Sequence, residues 1–230
     1  MEDVDRVKTG IPGLDALLNG GIPRENLVVI SGDPGSGKTI MCMSFIYFGA
    51  KKFDEPGVFI SLEETKEDVL KMSSLMGWEF NDLIKAKKVE IIAVDLYDFD
   101  KLKDLIQDAI TRIGAKRLVI DPGVIFRLYF KEELEARKQI LGLGKMIKAT
   151  GCTAIITNES SAGAGGNDLF GLEEYVADGV VLLYHKKIKD QFVRSIAVLK
   201  MRSTKISEQS HPIIITKKGI EVLSKHEVYE

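Results

Sequence analysis

The chain is poor in cysteine, tryptophan and proline: its 230 residues include 2 Cys, 1 Trp and 6 Pro. Cys42 and Cys152 lie within apolar runs and lack the spacing of metal ligands, so we expect them to be small core residues of a protein in a reducing compartment. No apolar run is long enough to span a membrane, and the charged start of the chain lacks the apolar core of a secretory signal. We therefore expect a cytoplasmic protein with no membrane association.

An excess of charge of one sign is also lacking. The 32 Lys and Arg residues nearly balance the 34 Asp and Glu residues, and the formal net charge is −2. Such a balance gives no general attraction to nucleic acid or to an anionic membrane. Hydrophobic residues make up 45% of the chain, which is enough for a sizeable core. Because no repeat, low-complexity segment or long linker divides the chain, we expect a single domain over residues 1–230.

Apolar strands alternate with helical patterns along most of the chain. The strands are continuous apolar runs such as "NLVVIS", which are typical of a parallel sheet covered on both faces. The predicted strands are Leu27–Ser31, Val58–Leu62, Val89–Ala93, Arg117–Asp121 and Thr153–Thr157, and the predicted helices lie near Gly13–Asn19, Thr39–Lys52, Lys66–Met76, Phe99–Ile113 and Glu132–Ala149. After residue 178 the pattern changes to two hairpin-like pairs of strands. The sequence therefore predicts an α/β fold, a mostly parallel sheet flanked by helices, with a C-terminal antiparallel β extension.

A glycine-rich segment lies between the first of these strands and the following helix. It has the pattern G-x-x-x-x-G-K-T and consists of Gly32, Asp33, Pro34, Gly35, Ser36, Gly37, Lys38 and Thr39. Its backbone N–H groups converge on phosphate oxygens at the positive end of the helix. Lys38 is expected to reach the β- and γ-phosphates, and the Thr39 hydroxyl to hold Mg²⁺. The segment predicts a P-loop that binds ATP or ADP with Mg²⁺.

Acidic residues stand at the ends of two predicted strands. Asp121 ends "RLVID", and Glu63 and Glu64 follow "VFISL". The carboxyl ends of parallel strands meet at the ligand-binding edge of a sheet. There Asp121 can organise the Mg²⁺ shell through a water, although an Asp-Pro turn that only ends the strand is the alternative. A glutamate at this edge can polarise the attacking water, and we favour Glu63; the alternative is that the pair only precedes a helix capped by Thr65.

These motifs occur together in a known family. The chain resembles the KaiC-like branch of the RecA superfamily in "TGIPGLDALLNGGIP", the P-loop, "FISLEET", "MGWEF", "VID", "GLEEYVADGVVLLY" and "IAVLKMRST". The resemblance implies a RecA-like ATPase with catalytic glutamates at Glu63 and Glu64. It also implies a homo-oligomeric ring, usually a hexamer, in which Lys200 and Arg202 face the γ-phosphate of the neighbouring subunit. Their spacing of two puts both side chains on one face of a strand, although two solvated basic residues on an edge strand are the alternative.

One departure from the family limits what the resemblance implies. Glu174 and Tyr175 occupy the positions at which the autophosphorylating copy of the KaiC domain has adjacent Ser and Thr. We therefore expect no autokinase activity and carry over no clock function. We expect instead an ATP hydrolase whose ring state is read by a protein partner that the sequence does not identify.

Two other functions stay open on the sequence alone. The first is a recombinase-type ATPase that contacts DNA through the loop at residues 160–171. This is not favoured, because "SSAGAGGND" contains neither Arg or Lys nor an aromatic residue on which a base could stack. The second is a nucleotide-gated binding module with negligible turnover. An ATPase assay distinguishes this binding module from an ATP hydrolase.

Overall fold

The computed structural model describes residues 4–94, 98–123, 129–130, 132–159 and 176–228. The strands are β1 (Arg6–Val7), β2 (Ile22–Pro23), β3 (Leu27–Gly32), β4 (Gly57–Ser61), β5 (Val89–Ala93), β6 (Arg117–Asp121), β7 (Thr153–Glu159), β8 (Gly179–Ile188), β9 (Gln191–Met201), β10 (His211–Thr216) and β11 (Gly219–Val222). The helices are α1 (Leu14–Leu17), α2 (Lys38–Lys52), α3 (Lys66–Leu75), α4 (Phe80–Lys85), α5 (Phe99–Ile113) and α6 (Glu133–Ala149). None of the helices in these described ranges is long and apolar enough to cross a membrane.

The main sheet has nine strands in the order β11-β10-β9-β8-β3-β7-β6-β4-β5. The strands from β8 to β5 in this order pair in parallel, whereas β8 to β11 form an antiparallel meander. This architecture confirms the predicted α/β fold with its C-terminal antiparallel extension. Strand β7 lies between β3 and β6, so the strand that follows α6 separates the P-loop strand from the strand that ends at Asp121.

Both faces of the parallel strands are covered, which explains their continuous apolar sequences. On one face, residues such as Val28 and Ile30 pack with Phe45 and other apolar residues of α2. On the other face, Val29 and Ile60 pack with apolar residues of α5 and α6. Alternate residues of each strand enter opposite layers, so the central positions are apolar on both faces. The carboxyl ends of β3, β4, β6 and β7 consequently meet at one edge.

The core also contains an arginine without solvent exposure. Arg117, at the start of β6, is 0% exposed and donates to Glu55 Oε2 from Nε at 2.9 Å and from Nη2 at 2.6 Å. Its Nη1 donates to the carbonyl of Phe45 at 2.9 Å and its Nη2 to that of Lys8 at 2.7 Å. A Cβ at Gly49 would collide with the guanidinium, so α2 has a glycine there. Burial lowers the pKa of Arg117, and Glu55 opposes this shift. Through its bonds to the carbonyls of Phe45 and Lys8, Arg117 connects α2 and the N-terminal segment to β6.

Candidate functional site

The P-loop connects β3 to α2 and requires glycine at several positions. Gly35 and Gly37 have φ angles of +73° and +106°, which L side chains rarely adopt. A Cβ at Gly32 would collide with the carbonyl of Leu183 in β8. The backbone N–H of Asp33 donates to this same carbonyl at 3.2 Å, and the N–H of His185 donates to Asp33 Oδ2 at 3.0 Å. Strand β8 therefore fixes the loop at the carboxyl edge.

Lys38 lies across the P-loop in this structure. Its Nζ donates to the carbonyl of Gly32 at 2.8 Å and to that of Asp33 at 3.2 Å. Burial lowers the pKa of Lys38, whereas the charges of Glu159, Asp121 and Asp33 oppose the shift. The ammonium therefore lies between the loop and the carboxylates of the sheet edge, where a P-loop lysine meets phosphate oxygens.

The residues expected to organise Mg²⁺ are a hydroxyl and a carboxylate. Thr39 is the second residue of α2 and is partly exposed, and Asp121 ends β6. The hydroxyl of Thr157, in the intervening strand β7, donates to Asp121 Oδ1 and orients this carboxylate. Within the described ranges no three His, Cys, Asp or Glu side chains form a cluster that could hold a metal. This donor set fits Mg²⁺, which takes few protein ligands and completes its shell with phosphates and waters.

The two glutamates follow β4 after one intervening residue, Leu62, and both the turn and the helix cap beyond them are formed. The Ser61 hydroxyl donates to the carbonyl of Glu64 at 2.7 Å and accepts from its N–H at 3.0 Å. The Thr65 hydroxyl accepts from the N–H of Asp68 at 3.2 Å, as predicted for an N-cap. Because the cap is Thr65 itself, neither glutamate is needed for this capping bond.

The environments of the two glutamates differ. Glu63 is exposed, whereas Glu64 is half-buried and its Oε2 is buried without a partner in the described part of the chain. Burial raises the pKa of Glu64, and the charges of Asp121, Asp68 and Glu63 raise it further. The N–H of Leu62 donates to the carbonyl of Asp121 at 2.9 Å, which brings the ends of β4 and β6 together. The sequence favoured Glu63, but Glu64 has the environment expected of a general base.

Lys200 and Arg202 lie far from the P-loop within the same chain. Lys200 pairs with Val180 in β8, whereas Leu183 of β8 pairs with Gly32 of the P-loop. Three residues of a strand span roughly 10 Å, and Arg202 lies further still along the same direction. The structure therefore brings Lys38, Thr39, Asp121 and the glutamates to one edge of the sheet and leaves Lys200 and Arg202 toward the opposite edge.

Sequence reasoning missed two charged residues at the P-loop. Arg194 in β9 donates from Nε to the carbonyl of Gly35 at 2.9 Å. Glu159 ends β7 and pairs with Gly32 in the register of the sheet. Glu159 follows the same pattern as Asp121, an acid at the carboxyl end of a core strand, and this pattern could have identified it. Arg194 gives no local signal, because only the antiparallel pairing of β8 and β9 brings it to the loop.

A cavity of about 500 Å³ opens beside the P-loop. Its polar lining includes Lys38, Thr39 and Arg194, and its apolar lining includes Met72 of α3 and Ile215 of β10. A mixture of apolar walls and a few convergent polar groups is typical of a small-molecule site. The loop at residues 160–171, Glu174 and Tyr175 lie outside the described residues.

Comparisons with known proteins give relatives that match almost the whole chain. The family model described as "ATPase: KaiC" matches residues 7–227. A UPF0273 protein of Methanocaldococcus jannaschii is 37% identical, over 94% of this chain and 95% of that protein. The circadian clock oscillator protein KaiC of a Nostoc species is 32% identical, over 95% of this chain but 44% of that protein.

A solved structure has the same fold. The crystal structure of a KaiC-like protein from the hyperthermophilic archaeon Pyrococcus horikoshii matches with a TM-score of 0.87 and 36% sequence identity. The match covers 96% of this chain and 99% of that one. The RecA-like architecture predicted from the motifs is therefore confirmed.

Proposed function

Because this chain belongs to the KaiC ATPase family and has a nucleotide-binding P-loop, we propose that it hydrolyses ATP with Mg²⁺ in a ring of identical subunits. The observation that carries the proposal is the separation of its charged residues. Lys38, Asp121 and the two glutamates meet at the carboxyl edge of the sheet, whereas Arg202 lies toward the opposite edge. A site that needs both sets is completed by two neighbouring subunits, and we propose a hexamer, the ring that the family resemblance implies.

Within one subunit, the P-loop binds the phosphates and Lys38 neutralises their charge. The backbone N–H groups at the start of α2 and the Lys38 ammonium face the β- and γ-phosphates. The Thr39 hydroxyl and the Asp121 carboxylate would hold Mg²⁺, and the hydroxyl of Thr157 fixes the orientation of Asp121. Bound Mg²⁺ neutralises the charge that develops on the transferred phosphoryl group.

The glutamates act on the attacking water. A carboxylate that is partly desolvated and surrounded by other carboxylates has a raised pKa and accepts a proton more readily near neutral pH. Glu64 has this environment, and Glu63 precedes it on the exposed side of the same turn. We assign proton acceptance and water orientation to the pair, with the division between them left to mutagenesis.

Lys200 and Arg202 act on the nucleotide of the neighbouring subunit. Their distance from their own P-loop supports this role. The register of β9 places Lys200 beside Val180, away from the carboxyl edge, and Arg202 follows the end of β9 in the same direction. An arginine supplied in this way stabilises the charge of the transition state and is worth about 10³–10⁵ in rate. We propose that the resulting ring is regulatory, that a protein partner reads its nucleotide state, and that it does not phosphorylate itself.

The proposal is tested by steady-state ATP hydrolysis with purified protein. Glu63→Gln and Glu64→Gln together are expected to lower the rate by roughly 10²-fold or more while ATP affinity is retained. Light scattering with and without ATP is expected to show ATP-dependent assembly. A wild-type rate in the double variant would mean that the two glutamates only form the turn before a helix cap. Undetectable hydrolysis by the unmodified protein would favour a binding module without turnover.

A further inference from the structure

Lys200 and Arg202 are both held by the two residues that precede β8. Lys200 Nζ donates to the carbonyl of Ala177 at 2.6 Å. Arg202 Nη1 forms an ion pair with Asp178 Oδ1 at 2.8 Å. Burial lowers the pKa of Lys200, the charge of Arg202 lowers it further, and Asp178 opposes both effects. The two basic side chains therefore have fixed positions before any nucleotide or neighbour is present.

Asp178 is itself fixed by the strands on both sides. Its backbone N–H donates to the carbonyl of Leu27 at 2.8 Å, and its Oδ2 accepts from the N–H of Leu27 at 3.1 Å. Its carbonyl accepts from the N–H of Arg202 at 2.9 Å. The side chain of Asp178 is 15% exposed, whereas that of Arg202 is 60% exposed. A rigid, largely buried carboxylate thus holds one end of a guanidinium whose remainder faces outward.

The chain beyond Arg202 is fixed as well. Arg6, in β1, donates from Nη2 to the carbonyl of Ser203 at 3.1 Å and from Nη1 to the hydroxyl of Thr204 at 2.9 Å. Ser203 has a φ angle of +57°, which non-glycine residues seldom adopt without support from neighbouring groups. Contacts on both sides of Arg202 therefore define its backbone, and Asp178 defines its side chain.

We propose that Asp178 is a positioning residue, which holds the Arg202 guanidinium in the orientation that meets the γ-phosphate of the neighbouring subunit. The proposal rests on the function proposed above. Asp178 accepts one of the five N–H groups of the guanidinium, so the others stay available to an oxyanion. Because Asp178 is also bonded to Leu27, the first residue of β3, it connects Arg202 to the strand that ends in the subunit's own P-loop.

The expected effect of losing Asp178 follows from this geometry. In Asp178→Asn, the side-chain oxygen can still accept from Leu27, but the negative charge of residue 178 that faces Arg202 is lost. Arg202 then keeps its own charge and loses its defined orientation. A misplacement of about 1 Å at a reacting centre costs up to about 10²-fold in rate, so we expect kcat to fall by about 10- to 100-fold with little change in KM.

A double-mutant cycle tests the proposal. Asp178→Asn, Arg202→Ala and their combination are compared for kcat, KM, melting temperature and ATP-dependent assembly by light scattering. We expect Arg202→Ala to show the larger loss, and Asp178→Asn to cause no further loss of kcat or of assembly once Arg202 is absent. Glu90→Gln is the matched control, because Glu90 pairs with Arg112 at 2.8 Å on a different surface. Its kcat and assembly should equal those of the unmodified protein.

Two results would overturn the proposal. One is a wild-type kcat for Asp178→Asn. The other is that Asp178→Asn lowers kcat by the same factor in the Arg202→Ala background as in the unmodified protein, which would mean that Asp178 acts on folding or on its own P-loop. Asp178→Glu provides a second variant that keeps the charge but displaces it, and it should have a kcat between those of the unmodified protein and Asp178→Asn. Should Arg202→Ala hydrolyse ATP normally, the role of Arg202 in the proposed function fails first, and that of Asp178 with it.

Discussion

Removing the charge of Glu55 tests the part of the fold that depends most on one ion pair. Glu55 is bonded to Arg117, whose side chain is 0% exposed, and its other oxygen accepts from Arg24 Nη1 at 3.1 Å. In Glu55→Gln the Arg117 guanidinium stays buried without its counterion. The carbonyls of Phe45 and Lys8 still accept from it, but they carry no net charge.

The magnitude follows from the burial of the pair. Breaking a buried ion pair by removing one partner costs about 3–5 kcal/mol. The Glu55 side chain is 17% exposed, so some solvent reaches the site and we expect the lower limit, about 3 kcal/mol. For a chain of this length, that loss corresponds to a melting temperature lower by roughly 6–12 °C. Urea denaturation followed by the fluorescence of Trp78, which is 4% exposed, measures the loss directly.

Two further variants separate the cause from a general weakening. Adding Arg117→Met to Glu55→Gln removes the unpaired charge, so the double variant should be more stable than Glu55→Gln alone. The control is Glu90→Gln, which breaks the exposed pair with Arg112 and should lower the free energy of unfolding far less than Glu55→Gln does. If Glu55→Gln is as stable as this control, or if Arg117→Met worsens it, the reasoning about buried charge is wrong.

Further predictions concern the P-loop and the glutamates. Lys38→Ala should abolish ATP binding in a calorimetric titration, because it removes the ammonium that lies across the P-loop, where we propose that it meets the phosphates; near-wild-type affinity would contradict the P-loop assignment. Glu64→Gln should be more stable than the unmodified protein at about pH 8, because the folded state raises the pKa of Glu64 and its charged form therefore opposes folding above that pKa. The difference in stability should shrink as the pH falls to about 4, where the carboxylate is protonated. Thermal melts at both pH values measure this difference, and a difference that grows as the pH falls would contradict the reasoning. Incubation with ATP should leave the mass of the intact protein unchanged, and stoichiometric phosphate would contradict the expectation based on Glu174 and Tyr175.

Much of the fold could be predicted because its signals are local. Strands such as β3 and β6 are covered on both faces, so the positions between their ends are mostly apolar, and the five predicted core strands agree with the structure within two residues at each end. Strand β7 continues to Glu159 rather than ending at Thr157, because its pairing with β3 extends to the P-loop glycine Gly32. Such an extension depends on a partner strand and leaves no pattern in the sequence.

Short elements were missed for the same reason. Strands β1 and β2 have two residues each and exist because they pair with one another. Helix α4 has six residues, too few for a periodic apolar pattern, and is fixed by burial of Phe80 and Leu83. The sequence gives no sign that Arg117, the first residue of β6, is buried, because Glu55 and Gly49 surround it only in three dimensions.

The candidate site was predictable where its residues belong to contiguous motifs. The P-loop and Asp121 each lie at the end of an apolar strand, and the topology of a parallel sheet brings them together. The difference between Glu63 and Glu64 was not predictable, because it depends on which side of a turn is covered. The attachment of Arg202 to Asp178 was likewise hidden, since the two residues meet only through the antiparallel pairing of β8 and β9.

The most direct test of a shared site is a mixing experiment with two inactive variants. Subunits that carry Glu63→Gln and Glu64→Gln retain Arg202, and subunits that carry Arg202→Ala retain both glutamates. Once exchange of labelled subunits has been verified, the mixture should regain ATP hydrolysis, because some neighbours then pair intact glutamates with an intact Arg202. A mixture that exchanges subunits and stays as inactive as its two parents would show that these residues act within one subunit, and it would contradict the account.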